Sequence, residues 1–306
     1  RTRNSERLIR HGQERLVVFG RTESWAREFG GLVHAVGVEV HRRDGTRARV
    51  DAAGVGSLAD LSRVFPVQVI DPEIHKLIEE GGRRRRRWLD WAVFHVEPQF
   101  GDWWVRYGRA VRQRNAALRR RGESTKPWDL EAAGLGERIS EARRRVVEQM
   151  QPYWQEVISG LDCPAGELQY LRGWGAQHSL IEALEASRVR DELRGLTHAG
   201  PHRADVLIRV RGKLAREVLS RGQQKLMAVA LTLAQLRLLK DLSGTTPTLL
   251  LDDPAAELDS AHLGYFVSEI AHLGCQLLIT SLQPETPAFG APDKVFHVEQ
   301  GRVGPV

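Results

Sequence analysis

Cysteine is scarce: Cys163 and Cys275 are too few for a disulfide framework, and no Cys/His cluster has the spacing of a zinc site. No apolar run approaches the ~20 residues of a membrane-spanning helix, which excludes a helical span. Internal repeats are absent, as is any low-complexity tract beyond one run of arginines. No signal peptide is visible, and the chain opens at Arg1 without an initiator Met. Lysine is almost missing, with 6 Lys against 39 Arg. What remains is a chain of 306 residues, 42% apolar, long enough for about two domains with real cores. Its formal charge of +6 and pI near 9.7 predict a polyanionic partner. A cytoplasmic location is expected.

The most informative stretch is Leu-Leu-Leu-Asp-Asp-Pro-Ala-Ala-Glu-Leu-Asp, residues 249 to 259. An apolar run of this kind is a buried strand, and it stops abruptly at two carboxylates. Ligands of open α/β sheets bind beyond the carboxyl ends of the strands, so Asp252 and Asp253 would face such a site. Mg²⁺ takes one or two carboxylates plus substrate phosphates, which makes a nucleotide the natural third party. Alone, the fragment reads equally well as a strand followed by a solvated turn.

Upstream, Leu-Ser-Arg-Gly-Gln-Gln-Lys at 219 to 225 runs into a helical pattern through Leu226, Val229, Leu233, Leu236 and Leu239. Ser220 is a good N-cap, Gly222 permits close approach of a ligand, and the free N–H groups of a helix start suit a phosphate. By itself this is a capped structural helix. Followed by strand-Asp-Asp and then Leu258-Asp259, it resembles the signature motif, Walker B and D-loop of the ATP-binding-cassette ATPases that include the SMC, RecN and RecF proteins.

The middle of the chain separates these branches. Gly-Gly-Arg-Arg-Arg-Arg-Arg-Trp-Leu-Asp-Trp at 81 to 91 resembles a RecF-family element, with Arg85, Arg86, Leu89 and Asp90 matching and Trp88 in place of Phe. Gln113 to Leu118, Lys126-Pro127-Trp128-Asp129, and Gly200-Pro201-His202-Arg203 with Asp205 extend the resemblance, which runs from Leu8 to Val303. Family members begin with a strand and a Gly-x-x-Gly-x-Gly-Lys-Thr P-loop that this sequence does not contain, so a fragment is expected, lacking roughly fifty residues of its parent and inactive by itself toward ATP.

The resemblance implies an α/β protein: an ABC/SMC-type ATPase lobe, a mixed sheet with flanking helices, into which a helical lobe is inserted. ATP and Mg²⁺ would lie between two subunits of an ATP-dependent homodimer. Asp252 would hold the metal, with Gln68 a further candidate. Asp253 would orient the attacking water. Ser220, Gly222 and Gln223 would face the partner's nucleotide, Asp259 would lie across the dimer interface, and Thr280 would sense the γ-phosphate. The family acts at single-strand gaps and stalled forks, with RecR and RecO, helping to load RecA during recombinational repair and the SOS response. Hydrolysis would be slow and would reset a clamp on double- or single-stranded DNA.

Charge distribution sharpens the DNA expectation. Between Arg83 and Arg121 twelve arginines stand against Asp90, Glu97 and Asp102, a local balance of +9 that leaves the rest of the chain at −3. Arg85 and Arg86 are candidates for DNA contact, as are Arg109, Arg112 and Arg119, whose spacing suits one helical face. Eight Trp, including Trp88, Trp91, Trp103 and Trp104, read as core rather than stacking platforms. His202, beside Pro201, reads as structural.

Three stretches follow. Residues 1–71 read as β, with strands at Leu16–Phe19 and Val36–Val40 and a turn at Asp44-Gly45, forming the first part of the ATPase lobe. Residues 72–195 read as the helical lobe, with helices at Asp102–Arg121, Leu130–Met150 and Ser179–Leu193 and breaks near Pro127, Pro152 and Pro164. A helix of twenty residues spans about 30 Å, too short for the coiled coil of an SMC protein. Residues 196–306 return to the ATPase lobe, with a helix at Ser260–Leu273, a strand at Cys275–Thr280 and a hairpin at Lys294–Val303. Two other classes fit parts of this pattern. A membrane-transporter ATPase subunit shares the motifs, but Ser220 to Asp252 spans 32 positions, longer than is usual there. The other is a DNA-binding scaffold that does not hydrolyse ATP.

Overall fold

The computed structural model describes residues 5–24, 31–55, 58–120, 123–256, 258–282 and 287–305. Alternating β-branched residues and the Asp44-Gly45 turn produce β1 (Arg15–Ser24), β2 (Leu32–His41), β3 (Gly45–Val50) and the short β4 (Ala53–Gly54), an antiparallel sheet in that order. One face is partly covered: Val40, Ala48 and His34 are buried there, though Val18 on the same side is exposed, as are Val17 and Phe19 on the other.

Helix α1 (Leu58–Val64) leads to β5 (Val67–Ile70), then to α2 (Lys76–Glu79), α3 (Gly82–Val96), α4 (Phe100–Arg119) and α5 (Lys126–Gly160). Strand β6 (Gly166–Leu171), α6 (Leu180–Ala186) and α7 (Arg188–Arg194) follow. The chain then forms β7 (Asp205–Val210), β8 (Lys213–Leu214), α8 (Ala215–Val218), α9 (Arg221–Ser243), β9 (Thr248–Asp252), α10 (Ser260–Leu273), β10 (Leu277–Thr280) and a hairpin of β11 (Phe296–Glu299) and β12 (Arg302–Pro305). Among the described residues, parallel and antiparallel strands occupy separate sheets. β10, β9 and β5 pair in parallel, and β6, β7 and β8 pair antiparallel.

Helix α9 is the hub. Its residues from Met227 to Leu236 are buried without interruption, on every face, so its polar side chains can find partners only within the protein, and the Gln235 Oε1 has none among the described residues. The Gln235 amide donates to the Trp88 carbonyl at 2.8 Å, and the Thr232 hydroxyl to that of Ala228 at 3.1 Å. Arg237 ties the helix to Glu269 on α10 and Glu156 on α5.

Helix boundaries differ from the sequence expectation for identifiable reasons. α5 has 35 residues, about 52 Å, and two of the three expected breaks fall inside it, while Pro164 lies beyond its end. Pro127 lies in the first turn, where no N–H is needed, and Pro152 is carried within the helix beside the fully buried Met150 and Trp154. The expected helix at 179–193 is split at Ser187, which ends α6 and begins α7. Strand β6, in a region read as helical, pairs with β7, and its outward carbonyls at Gly166 and Leu168 accept from Trp154, Gln155 and Gln151 of α5. Arg121, placed at the end of a helix from sequence, lies outside the described residues. The four tryptophans named from sequence are core: Trp88 is buried, and Trp91, Trp103 and Trp104 pack against the same cluster.

Candidate nucleotide site and nucleic-acid surface

Leu249 and Leu251 bury one side of β9, and the strand runs out at Asp252, level with Thr280 at the end of β10. This register brings a hydroxyl to the carboxylates. Thr280 Oγ1 donates to Asp252 Oδ1 at 2.9 Å, and the Asp253 amide donates to the Thr280 carbonyl at 3.0 Å, with Thr280 Oγ1 at 3.2 Å. Asp253 turns the chain through the left-handed region, φ 48°, a conformation Asp tolerates better than most residues but at a cost of about 1 kcal/mol. Pro254 then starts a short 3₁₀ turn. The expected phosphate-sensing hydroxyl of Thr280 is therefore already engaged, holding Asp252.

Gln68 does not join this cluster. The parallel register sets it level with Leu249, three residues and about 10 Å before Asp252, on the alternate side of the sheet. Its assignment as a metal contact is corrected on that ground.

At the start of α9, Ser220 caps the helix by a reciprocal box. Its hydroxyl accepts from the Gln223 amide at 3.3 Å, and the Gln223 side chain accepts from the Ser220 amide at 3.0 Å. Nothing lies within 4 Å of where a Cβ of Gly222 would stand, so that face of the first turn is open. Arg221 lies 3.5 Å from His75, which links the turn to the segment following β5. Sequence reasoning missed His75, since nothing local marks it.

Asp259 caps α10, accepting from the Ala261 and His262 amides at 3.1 and 3.0 Å and lying 2.6 Å from His262 Nδ1. These bonds, the His262 amide first, hold its carboxyl below the usual range.

The arginine run divides on inspection. Arg85 is buried and spans Asp205 with two bonds, 2.9 and 3.0 Å, while Nη1 reaches the carbonyls of Leu77, Ile78 and Glu80. A guanidinium so enclosed has nothing left for a phosphate, and its assignment to DNA contact is withdrawn. Arg86 donates to the Ala204 carbonyl and Arg119 to that of Gly195, so both serve the fold at least in part. Arg84, Arg106 and Arg120 pair with glutamates or aspartate. Arg109 and Arg112 are exposed on α4 and carry no carboxylate partner among the described residues.

The sequence elements shared with the RecF family turn out to be latches between helices. Arg114, 1% exposed, bonds Asp129 at 2.6 Å, Asp191 at 2.7 Å and Thr197 at 3.0 Å. Arg143 spans Asp90 at 2.7 and 2.9 Å and reaches the Pro201 carbonyl. His202 bridges the Tyr107 hydroxyl and the Thr197 carbonyl, and burial depresses its pKa, in line with a structural role.

The family model for the RecF/RecN/SMC N-terminal domain matches residues 1–303. The chain is 38% identical to the DNA replication and repair protein RecF of Thioalkalivibrio sulfidiphilus, over 99% of this chain and 85% of that protein. It is 36% identical to RecF of Pseudomonas aeruginosa, over 97% and 81%. Among solved structures, the recombination mediator protein RecF-ATP in the RecFOR pathway superposes with a TM-score of 0.88 at 22% identity, covering 99% of this chain and 83% of that one. An Smc head bound to the C-winged helix domain of ScpA superposes with a TM-score of 0.50 at 13% identity, over 96% and 74%.

Proposed function

The chain belongs to the RecF family, and on that footing we propose that it is a DNA replication and repair protein acting as an ATP-dependent clamp on DNA. The observation that carries the reading is the cluster of Thr280, Asp252 and Asp253 at the carboxyl ends of two parallel strands, where an open α/β sheet receives its ligand. The capped start of α9 supplies the second half of a nucleotide site. With 23 residues α9 is about 35 Å long, and β9 with five is about 16 Å. The helix overshoots the strand, which favours Ser220, Gly222 and Gln223 meeting the phosphates of a second copy's ATP.

The donor set suits Mg²⁺ with phosphates. No group of three His, Cys, Asp or Glu that could hold a metal occurs among the described residues, and Mg²⁺ needs only one or two carboxylates when phosphates and water complete its shell. Asp252, steadied by the Thr280 hydroxyl, would hold the ion, whose charge would offset that of the phosphates. Asp253 holds and orients water with its carboxylate. Asp259, fixed as a helix cap, lies close behind in sequence and would contribute at the interface between copies.

Arg109 and Arg112 supply phosphate contacts on the helical lobe, residues 72–195. By family, the partners are double- and single-stranded DNA, RecR with RecO, and a second copy, in the cytoplasm at gaps and stalled forks. No helix among the described residues is long and apolar enough to cross a membrane.

Steady-state hydrolysis and nucleotide binding, measured with a P-loop segment joined to this chain, test these roles. Asp253→Asn is expected to slow hydrolysis at least tenfold, about 1.4 kcal/mol or more in barrier, with ATP-dependent dimers intact or longer-lived. Asp252→Asn should instead weaken Mg²⁺-dependent ATP binding itself. Small and equal effects from both would contradict the assignment.

A further inference from the structure

The four-stranded antiparallel sheet has an outer face that carries none of the residues assigned above to the nucleotide site. Its register fixes what that face carries. Val17, Phe19 and Arg21 of β1 lie opposite Glu39, Gly37 and Ala35 of β2, and Arg47 and Arg49 of β3 lie opposite Glu39 and Gly37. Residues directly opposite share a face, so all of these project to one side. The other side is the one that buries Val40, Ala48 and His34.

Phe19 is 70% exposed at the middle of β1, an edge strand of this sheet. It stands opposite Gly37, and a Cβ added there would meet the Phe19 ring at 3.9 Å, so the ring lies against bare backbone and keeps its outer surface free. Covering a sheet glycine accounts for the inner surface of the ring, not for the cations around it. Four arginines, Arg15, Arg21, Arg47 and Arg49, share the face with Glu23 and Glu39. Arg15 lies 3.3 Å from Glu39 and Arg47 lies 3.7 Å from Asp44, while Arg21 and Arg49 have no carboxylate partner among the described residues. Arg21 is about 7 Å along β1 from Phe19, and Arg49 is two strands away, about 10 Å. A base laid on Phe19 would leave its flanking phosphates within reach of both.

An exposed aromatic ring beside two arginines that lack a carboxylate partner among the described residues, on one sheet face, matches the chemistry of single-strand recognition, in which bases freed from a duplex stack on aromatic side chains and cations track the backbone. A duplex offers no free base face. We propose that the outer face of the β1–β4 sheet is a single-strand nucleic-acid platform, with a base stacked on Phe19 and its flanking phosphates held by Arg21 and Arg49. This deepens the DNA-binding reading and rests on it, but it uses a surface separate from Arg109 and Arg112.

Fluorescence anisotropy with labelled oligothymidylate and a blunt duplex, on the whole protein, tests it. Phe19→Ala should weaken oligothymidylate binding by about tenfold and duplex binding by less than about twofold, and Phe19→Trp should restore the first. Replacing Arg21 and Arg49 together with Ala should lower the slope of log affinity against log salt by about 1.4 for the single strand. Phe19 is largely exposed, so its loss opens no core cavity, and an unchanged thermal melt verifies the fold. Wild-type single-strand affinity in Phe19→Ala overturns the proposal, as does failure of Trp to restore it. A self-association that Phe19→Ala abolishes, with oligothymidylate affinity unchanged, would assign the face to contact between copies and overturn it as well. Failure of the clamp reading shows differently, as duplex binding that ignores ATP even with a P-loop segment joined to the chain.

Discussion

At the residue scale, the buried arginines explain why charge in the sequence is a poor guide to the surface. Five adjacent arginines at 83 to 87 look equivalent in sequence, yet Arg85 is sealed against Asp205 while its neighbours are wholly or partly at the surface. Only helical phase and the partner 120 residues away decide which is which. Ser220, Asp252 and Asp259 were legible because caps and strand ends leave local signatures. Gln68 was misplaced because parallel register, which sets it three residues short of Asp252, leaves none. One further residue carries a pH dependence. Burial, and secondarily the charge of Arg63, depress the pKa of His95 to about 4, and its Nε2 has no hydrogen-bond partner among the described residues. The unfolded chain takes up that proton near pH 6.5, before the folded state does. His95 therefore opposes folding increasingly as pH falls from 6.5 toward 4, by up to about 3 kcal/mol, and has no effect above that window. Urea titrations across this range should show His95→Phe with a flatter pH profile than the parent; an identical profile would mean that His95 does not titrate as its burial demands.

At the scale of elements, helix existence and type came through from periodicity, and Ser260–Leu273 came through with its bounds, whereas several other boundaries and β6 did not. Gly166 and Leu168 are buried and Glu167 and Gln169 exposed, a period of two, but the strand is six residues long, sits among helices and has its partner strand at 205–210. Long-range pairing decided it. The same elements sort the arginines into two kinds, and the two kinds predict opposite behaviour. Replacing Arg109 and Arg112 with Ala should flatten the salt dependence of duplex binding by about 1.8 in log–log slope with the melting temperature unchanged. Arg85→Ala should leave the slope alone and cost on the order of 3 kcal/mol of stability, because Asp205 loses its partner. Differential scanning calorimetry alongside binding titrations at graded salt separates them. An unchanged slope in the α4 variant would return those side chains to plain solvated surface.

At the scale of the whole molecule, the sequence order of cap, strand-Asp-Asp and D-loop conveyed the architecture, because each motif is tied to a helix start or a strand end. It did not convey that parallel and antiparallel strands separate into distinct sheets, or that arginine latches join the helices around α9, since both depend on contacts remote in sequence. The central claim is that the carboxylate end of β9 and the cap of α9 belong to different nucleotide sites, completed between two copies. Complementation measures this directly. With a P-loop segment joined to the chain, Asp252→Asn and Ser220→Arg should each abolish ATP hydrolysis alone. Mixed in equal amounts, they form a heterodimer with one site lacking both halves and one site wholly intact. Recovery of about a quarter of the wild-type rate is then expected if copies pair at random and sites act independently, since half the dimers carry one working site. No recovery on mixing, with heterodimers demonstrated in the same sample, would place both halves in a single chain and contradict the account.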